Sequence, residues 1–185
     1  MDARRRTRET YRHGNLRAEA VQAAYELATA DGTDGLSLRR VAERVGVAHR
    51  SLYNHFADRE ALVDAVAERG FHELAEALRP ADTKAAYVRA YVDFALRQPL
   101  LYALMKSRPH ATMKEKPDLQ RAVHATIAEA MRLFGRIERT SAENRRAVMK
   151  VIILLHGGIA MHQSGILDVD SDAGLIAELS AMAEA

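Results

Sequence analysis

Apolar residues recur along most of the chain at spacings of three and four, the interval that aligns side chains on one face of an α-helix. No stretch shows the alternation expected of a strand. From Asn15, the set Leu16, Ala20, Ala23, Ala24 and Leu27 draws one stripe on a helix ending near Asp31-Gly32. Ser37 stands as the N-cap of a second helix, whose apolar face is Leu38, Val41, Ala42 and Val45 and which ends before Gly46. A third begins near Ala48 and stops around Phe56. Asp58 caps a fourth, which runs from Arg59 through about Leu78, with Pro80 beyond it. Later helices are predicted from about Thr83 to Gln98, carrying Tyr87, Tyr91 and Phe94 on one side, and from Pro99, carrying Leu100, Leu101, Leu104 and Met105. His110 to Pro117 reads as a loop, followed by helices from about Asp118 to Ile137 and from about Ala142 to Gly165. The pattern predicts an all-α fold.

Only Gly46 and Val47 join the second and third helices, and the small Ala42 precedes the glycine by one helical turn. A helix-turn-helix needs a residue tolerant of positive φ at the turn and a small side chain where the helices cross, although simple packing also produces such hairpins. The third helix carries more information. At 100° per residue from His49, Tyr53 falls at about 40°, Arg50 at about 100° and Asn54 at about 140°, whereas Leu52 and Phe56 fall at about 300° and 340°. One edge is therefore apolar, while the other offers a guanidinium, an imidazole, a phenol and a carboxamide, groups suited to base edges and phosphates. Ser51 and His55 flank it where backbone phosphates would run. An ordinary solvated face would more typically carry Glu and Lys.

Composition removes several alternatives. The chain has 185 residues and no cysteine, which excludes disulfides, Cys-ligated zinc and thiol catalysis and suits a reducing cytoplasm. Its basic start is followed by no apolar segment of the secretory type, so a cytoplasmic location is expected. The formal net charge of +2 hides an asymmetry. Residues 1–17 hold Arg4, Arg5, Arg6, Arg8, Arg12 and Arg17 against Asp2 and Glu9, whereas residues 165–185 carry Asp168, Asp170, Asp172, Glu178 and Glu184 and no base. A basic end can face a polyanion or simply be a solvated tail.

The opening Tyr11-Arg12-His13-Gly14-Asn15-Leu16-Arg17, the helix Leu36-Ser37-Leu38-Arg39-Arg40-Val41-Ala42, the Gly46-Val47 turn, and Leu52-Tyr53-Asn54-His55-Phe56 followed by Asp58-Arg59-Glu60-Ala61-Leu62 closely resemble the N-terminal domain of TetR-family transcriptional regulators. The resemblance implies an all-α homodimer that places each third helix in one half of a palindromic operator. It also implies that His49, Arg50, Ser51, Tyr53 and His55 approach DNA, with Arg39 and Arg59 on phosphates; Ser37 and Asn54 complete the set assigned to DNA. Ala48 departs from the family, which usually has a capping Ser or Thr there. Further on, Tyr91-Val92-Asp93-Phe94-Ala95, Pro99-Leu100-Leu101-Tyr102 and His156-Gly157 resemble the C-terminal domain of a TetR subgroup named for a Trp-His-Gly pattern, whose tryptophan this chain lacks.

The expected organisation is a flexible basic arm over 1–14, a helix-turn-helix domain over 15–60, a connecting helix over 61–80, and a ligand-binding and dimerisation domain over 81–185. Within the last, Ala147 to Met161 is apolar nearly all round but too short to span a bilayer, so it reads as a core helix needing cover on every side. Val148, Ile152, Leu155 and Ile159 are assigned to a second subunit. Met149, Ile153 and His156, with Tyr91, Phe94, Tyr102 and Met105, are assigned to an effector cavity in which His156 is the polar handle. His156 and His162 lie about 240° apart on a helix and cannot share a metal within one chain, and no catalytic constellation is evident. The sequence thus points to a non-enzymatic, ligand-responsive DNA-binding regulator without cofactor. Its expected partners are an operator duplex, a small apolar or amphipathic effector and a second copy of itself, with no membrane. The alternative is a non-specific DNA-architecture protein that takes no ligand.

Overall fold

The computed structural model describes residues 3–109 and 113–184, with side-chain environments from Leu16 onward. Nine helices are described: α1 (Ala3–Asp31), α2 (Leu38–Val45), α3 (His49–Leu52), α4 (Arg59–Leu78), α5 (Lys84–Arg97), α6 (Pro99–Lys106), α7 (Pro117–Phe134), α8 (Ser141–Gln163) and α9 (Asp172–Glu184). Among the described residues there is no strand. The backbone is helical from Ala3, so the segment expected to be a flexible arm is instead the start of α1. Its arginine side chains, and the His110 end of the expected loop, lie outside the described residues.

The chain forms two compact units. The first comprises the residues up to Arg69 together with those described between Leu100 and Glu115. In it, Leu16, Ala20, Ala23, Ala24 and Leu27 of α1 are buried, as are Leu38, Val41 and Ala42 of α2, and Leu52 and Phe56. Alanines on α1 let α2 approach closely, and burial of this apolar face stabilises helices too short to persist alone. Ser37 Oγ accepts the Arg40 N–H at 3.2 Å and so caps α2. At the other end Gly46 has φ 77° and donates its N–H to the Ala42 carbonyl. Nothing lies within 4 Å of a Cβ built there, so a side chain would meet backbone strain alone. Gly46→Ala is therefore expected to cost about 1–2 kcal/mol of unfolding free energy in a urea titration; an unchanged midpoint would refute the left-handed turn.

The second unit comprises Gly70–Pro99 and Lys116–Ala185. Thr83 caps α5, and Thr140 with Glu143 forms a reciprocal capping box at the start of α8. The core is built from Tyr87, Val88, Tyr91, Val92 and Phe94 of α5, Leu119, Ala122, Ala130 and Phe134 of α7, Val148, Val151, Leu155 and Ile159 of α8, and Leu175, Ile176 and Leu179 of α9. Gly158 is needed where α9 meets α8, because a Cβ there would come within 2.6 Å of the buried Leu179 side chain. The division differs from the expected 81–185 domain, since α6 and the residues after it belong to the first unit. Among the described residues no helix is long and apolar enough to cross a membrane.

Candidate nucleic-acid interface

The element carrying the candidate DNA-reading side chains is shorter than its sequence suggests. Only His49–Leu52 is α-helical; the chain then turns, with His55 and Phe56 N–H groups both donating to the Leu52 carbonyl at 2.9 Å. Ala48 provides no side-chain cap, as its chemistry requires, so the first turn lacks that anchor. Burial of Leu52 and Phe56 fixes the segment from below. His49, Arg50, Tyr53 and Asn54 are exposed, while Ser51 and His55 are half-buried. The His49 and Tyr53 rings meet edge to face at 5.1 Å, one helical turn apart. Among the described residues the Arg50 side chain has no hydrogen-bond or ion-pair partner, which leaves its planar fork of donors available to an external acceptor.

The cations around this element are less free. Arg39 pairs with Glu43 at 3.0 Å on an exposed helix surface, a weak interaction that an external phosphate can displace. Arg40 binds Asp31 and the Gly35 carbonyl, and Arg44 binds Glu26. These hydrogen bonds and charges, with Gln22 first and Arg44 next, hold the Glu26 carboxyl below the usual carboxylate range. Ser37 Oγ is occupied as a cap.

Arg59 is engaged within its own chain. Its Nε donates to the Leu36 carbonyl at 2.9 Å, Nη2 to the Thr33 carbonyl at 2.5 Å, and Nη1 to Glu60 at 3.0 Å. The guanidinium expected on phosphate thus also clasps the α1–α2 turn. The sequence offered no sign of this, because the acceptors are backbone carbonyls more than twenty positions away. Arg108, not identified from sequence, reaches Glu60 at 2.7 Å and Asp64 at 3.3 Å with only 11% of its side chain exposed.

In the second unit Tyr91 Oη and His156 Nε2 lie 3.3 Å apart. Tyr87 sits between Tyr91 and Phe134, and burial first, then the neighbouring Tyr91 and Glu129, pushes its phenol well above the ordinary range. Phe94 is also buried in this unit, whereas Tyr102 and Met105, expected in the same cavity, are buried within the first. The burial of the two α8 stripes is the reverse of that expected. Val148, Leu155 and Ile159, assigned to a second subunit, are buried in their own chain, and Ile152 is half-buried. Met149 and Ile153, assigned to the cavity, are 47% and 64% exposed. Because the helix is apolar nearly all round, its sequence does not mark which stripe faces α5, α7 and α9. On the exposed side a groove of about 580 Å³ runs between α8 and α9, lined by Ile153, Gly157, Met161, Leu167, Leu179 and Met182, with Asp168 and Glu178 on it. Among the described residues no group of three metal-ligating side chains occurs.

Comparison with known proteins accounts for both halves. Residues 20–66 match the family described as bacterial regulatory proteins, tetR family, and residues 84–182 match a tetracyclin repressor-like C-terminal domain. The tetracycline repressor protein class A from transposon 1721 of Escherichia coli is 30% identical over 164 residues, which span 83% of this chain and 68% of that repressor. A protein of unknown function from Rhodococcus sp. RHA1 superposes with a TM-score of 0.74 at 31% identity, covering 93% of this chain and 95% of its own. A TetR transcriptional regulator from the same organism shares the fold, with a TM-score of 0.63 at 21% identity over 95% of each chain. These matches leave the Trp-His-Gly likeness an expectation. With the helix-turn-helix half and the C-terminal half both matched, the chain belongs to the TetR family of bacterial transcriptional regulators.

Proposed function

We propose that this protein is a homodimeric repressor that binds a palindromic operator through α3 of each protomer and is released by a small apolar or amphipathic molecule. The observation carrying the DNA-reading part is the exposed Arg50, whose side chain has no partner among the described residues, beside His49, Tyr53 and Asn54 on a segment pinned by Leu52 and Phe56. A rigid apolar underside with free donors on top suits insertion into a major groove, where arginine reads guanine through two parallel hydrogen bonds. The exposed Met149, Ile153 and Met161 of α8 and Met182 of α9 supply the dimer face, since such side chains seldom gather on the surface of a monomer. Tyr91 and His156 supply polar orientation for the effector among apolar neighbours. Effector lowers operator affinity by binding more tightly to the conformation that cannot span successive grooves.

Arg50→Ala should weaken operator binding by about 1–3 kcal/mol and relax preference at one base pair. Tyr53→Phe should weaken binding to all sequences about equally. Unaltered base preference in Arg50→Ala would assign base reading to another residue. The competing reading, a DNA-architecture protein, requires similar affinity for palindrome and random duplex at matched salt.

A further inference from the structure

Arg69, the last residue of the first unit on α4, stacks its guanidinium on the Tyr25 ring at 4.0 Å and donates through Nη1 to Gln22 Oε1 at 2.5 Å. One helical turn further along α1, Gln22 Nε2 donates to Glu26 Oε1 at 2.8 Å. The other carboxylate oxygen, Oε2, accepts from Arg44 Nε at 3.0 Å and Nη2 at 2.7 Å. A continuous chain of polar side chains thus runs from α4 across α1 to the last turn of α2. Because arginine only donates and a carboxylate only accepts, the Gln22 amide has one orientation that serves both neighbours. Water-exposed hydrogen bonds of this kind add little stability, so what the chain contributes is position. The backbone after Arg44 shows what is positioned. The Gly46 and Val47 N–H groups both donate to the Ala42 carbonyl, at 2.9 and 3.0 Å, so the turn leaves α2 in a fixed direction. α3 starts two residues after Val47, comprises only His49–Leu52 and has no side-chain cap. Leu52 and Phe56 hold it from below, and its lateral placement is inherited from the end of α2.

We propose that Gln22, Glu26, Arg44 and Arg69 are positioning residues for sequence reading: their chain sets the lateral seat of α3, and through it the angle at which Arg50 meets a base edge, without any of the four touching a base. This rests on the DNA-reading assignment above and names what aims it. Paired hydrogen bonds to one base edge tolerate little misplacement, whereas contacts to the phosphate backbone tolerate more and carry no sequence information. Loosening the chain therefore erodes discrimination between sequences more than affinity for DNA as such.

The test compares, by fluorescence anisotropy at one salt concentration, a duplex that the parent protein selects from a random pool with an unrelated duplex of equal length. Glu26→Ala, Arg44→Met and Arg69→Met should each lower the ratio of the two affinities by about tenfold or more, through weaker binding of the selected duplex. Binding to the unrelated duplex and the urea midpoint should stay close to the parent's. Glu26→Ala combined with Arg44→Met should lose no more than either change alone, because both break the same link. With Arg50 already replaced by Ala, Glu26→Ala should lower the ratio little further, since the group being aimed is gone. A direct phosphate contact by Arg44 gives a different pattern: Arg44→Met then weakens both duplexes alike and lowers the log–log salt slope by about 0.9, and Glu26→Ala weakens neither. That pattern, a lowered urea midpoint in all three variants, or discrimination equal to the parent's would overturn the positioning role. A parent that binds the selected and unrelated duplexes equally would instead overturn the DNA-reading assignment itself.

Discussion

An Ile153→Glu chain is expected to fold normally, to sediment as a monomer, and to bind operator at least about a hundredfold more weakly than the parent. Ile153 is 64% exposed in the protomer, so a carboxylate there remains in water and costs the isolated chain little. In the proposed homodimer the same position lies in the contact face. Each copy would then bury an unpaired carboxylate in the contact, a penalty of several kcal/mol. Operator affinity follows because two linked half-site readers gain an effective concentration that a single reader lacks. Leu155→Glu provides the contrast: Leu155 is fully buried within its own chain, so that change should unfold the second unit. Circular dichroism separates the two outcomes, and a folded, dimeric Ile153→Glu protein with parental operator affinity would remove this face from the interface.

That the contrast uses Ile153 on the outside and Leu155 on the inside shows where sequence is informative. The helix-turn-helix was legible because its signals are local: a cap at Ser37, a left-handed glycine at 46, and an apolar edge of Leu52 and Phe56 within one turn. The orientation of α8 was not, because a helix apolar on both sides has no polar stripe to mark solvent. The start of α1 was missed for a related reason, since an arginine run has no apolar periodicity even where the backbone is helical. The placement of α6 in the first unit and the clasp made by Arg59 depend on residues distant in sequence, which no local pattern encodes. α9 adds a helix that the sequence reading does not predict, with Leu175, Ile176, Leu179 and Ala183 at helical spacing on its buried side among acidic neighbours.

Among long-range ties in the first unit, Arg108 carries the largest expected effect on stability. It follows α6 and directs Nη1 at both Glu60 and the buried Asp64 near the start of α4, while Ser107 Oγ accepts from its other nitrogens. Glu60 in turn shares its second oxygen with Arg59, which holds the Thr33 and Leu36 carbonyls beneath α2. Arg108→Met keeps much of the stem volume and removes this cation, and is expected to cost about 2–3 kcal/mol at neutral pH. Most of that cost comes from Asp64, because exposed Glu60 is screened by solvent. Adding Asp64→Asn should recover part of the loss. The pH dependence has a definite sign. The hydrogen bond from Arg108, with the Arg108 and Arg59 charges, holds the Glu60 carboxyl below its usual range despite partial burial. Its stabilisation is therefore fully present above the unfolded carboxylate value of about 4.3 and disappears as pH falls through the lower folded value. The Glu60 share of the stability gap between the parent and Arg108→Met should be present at pH 7 and disappear below about pH 4 in parallel urea titrations. A gap that stays constant with pH would remove Glu60 from the loss and leave it to Asp64 and to packing of the arginine stem.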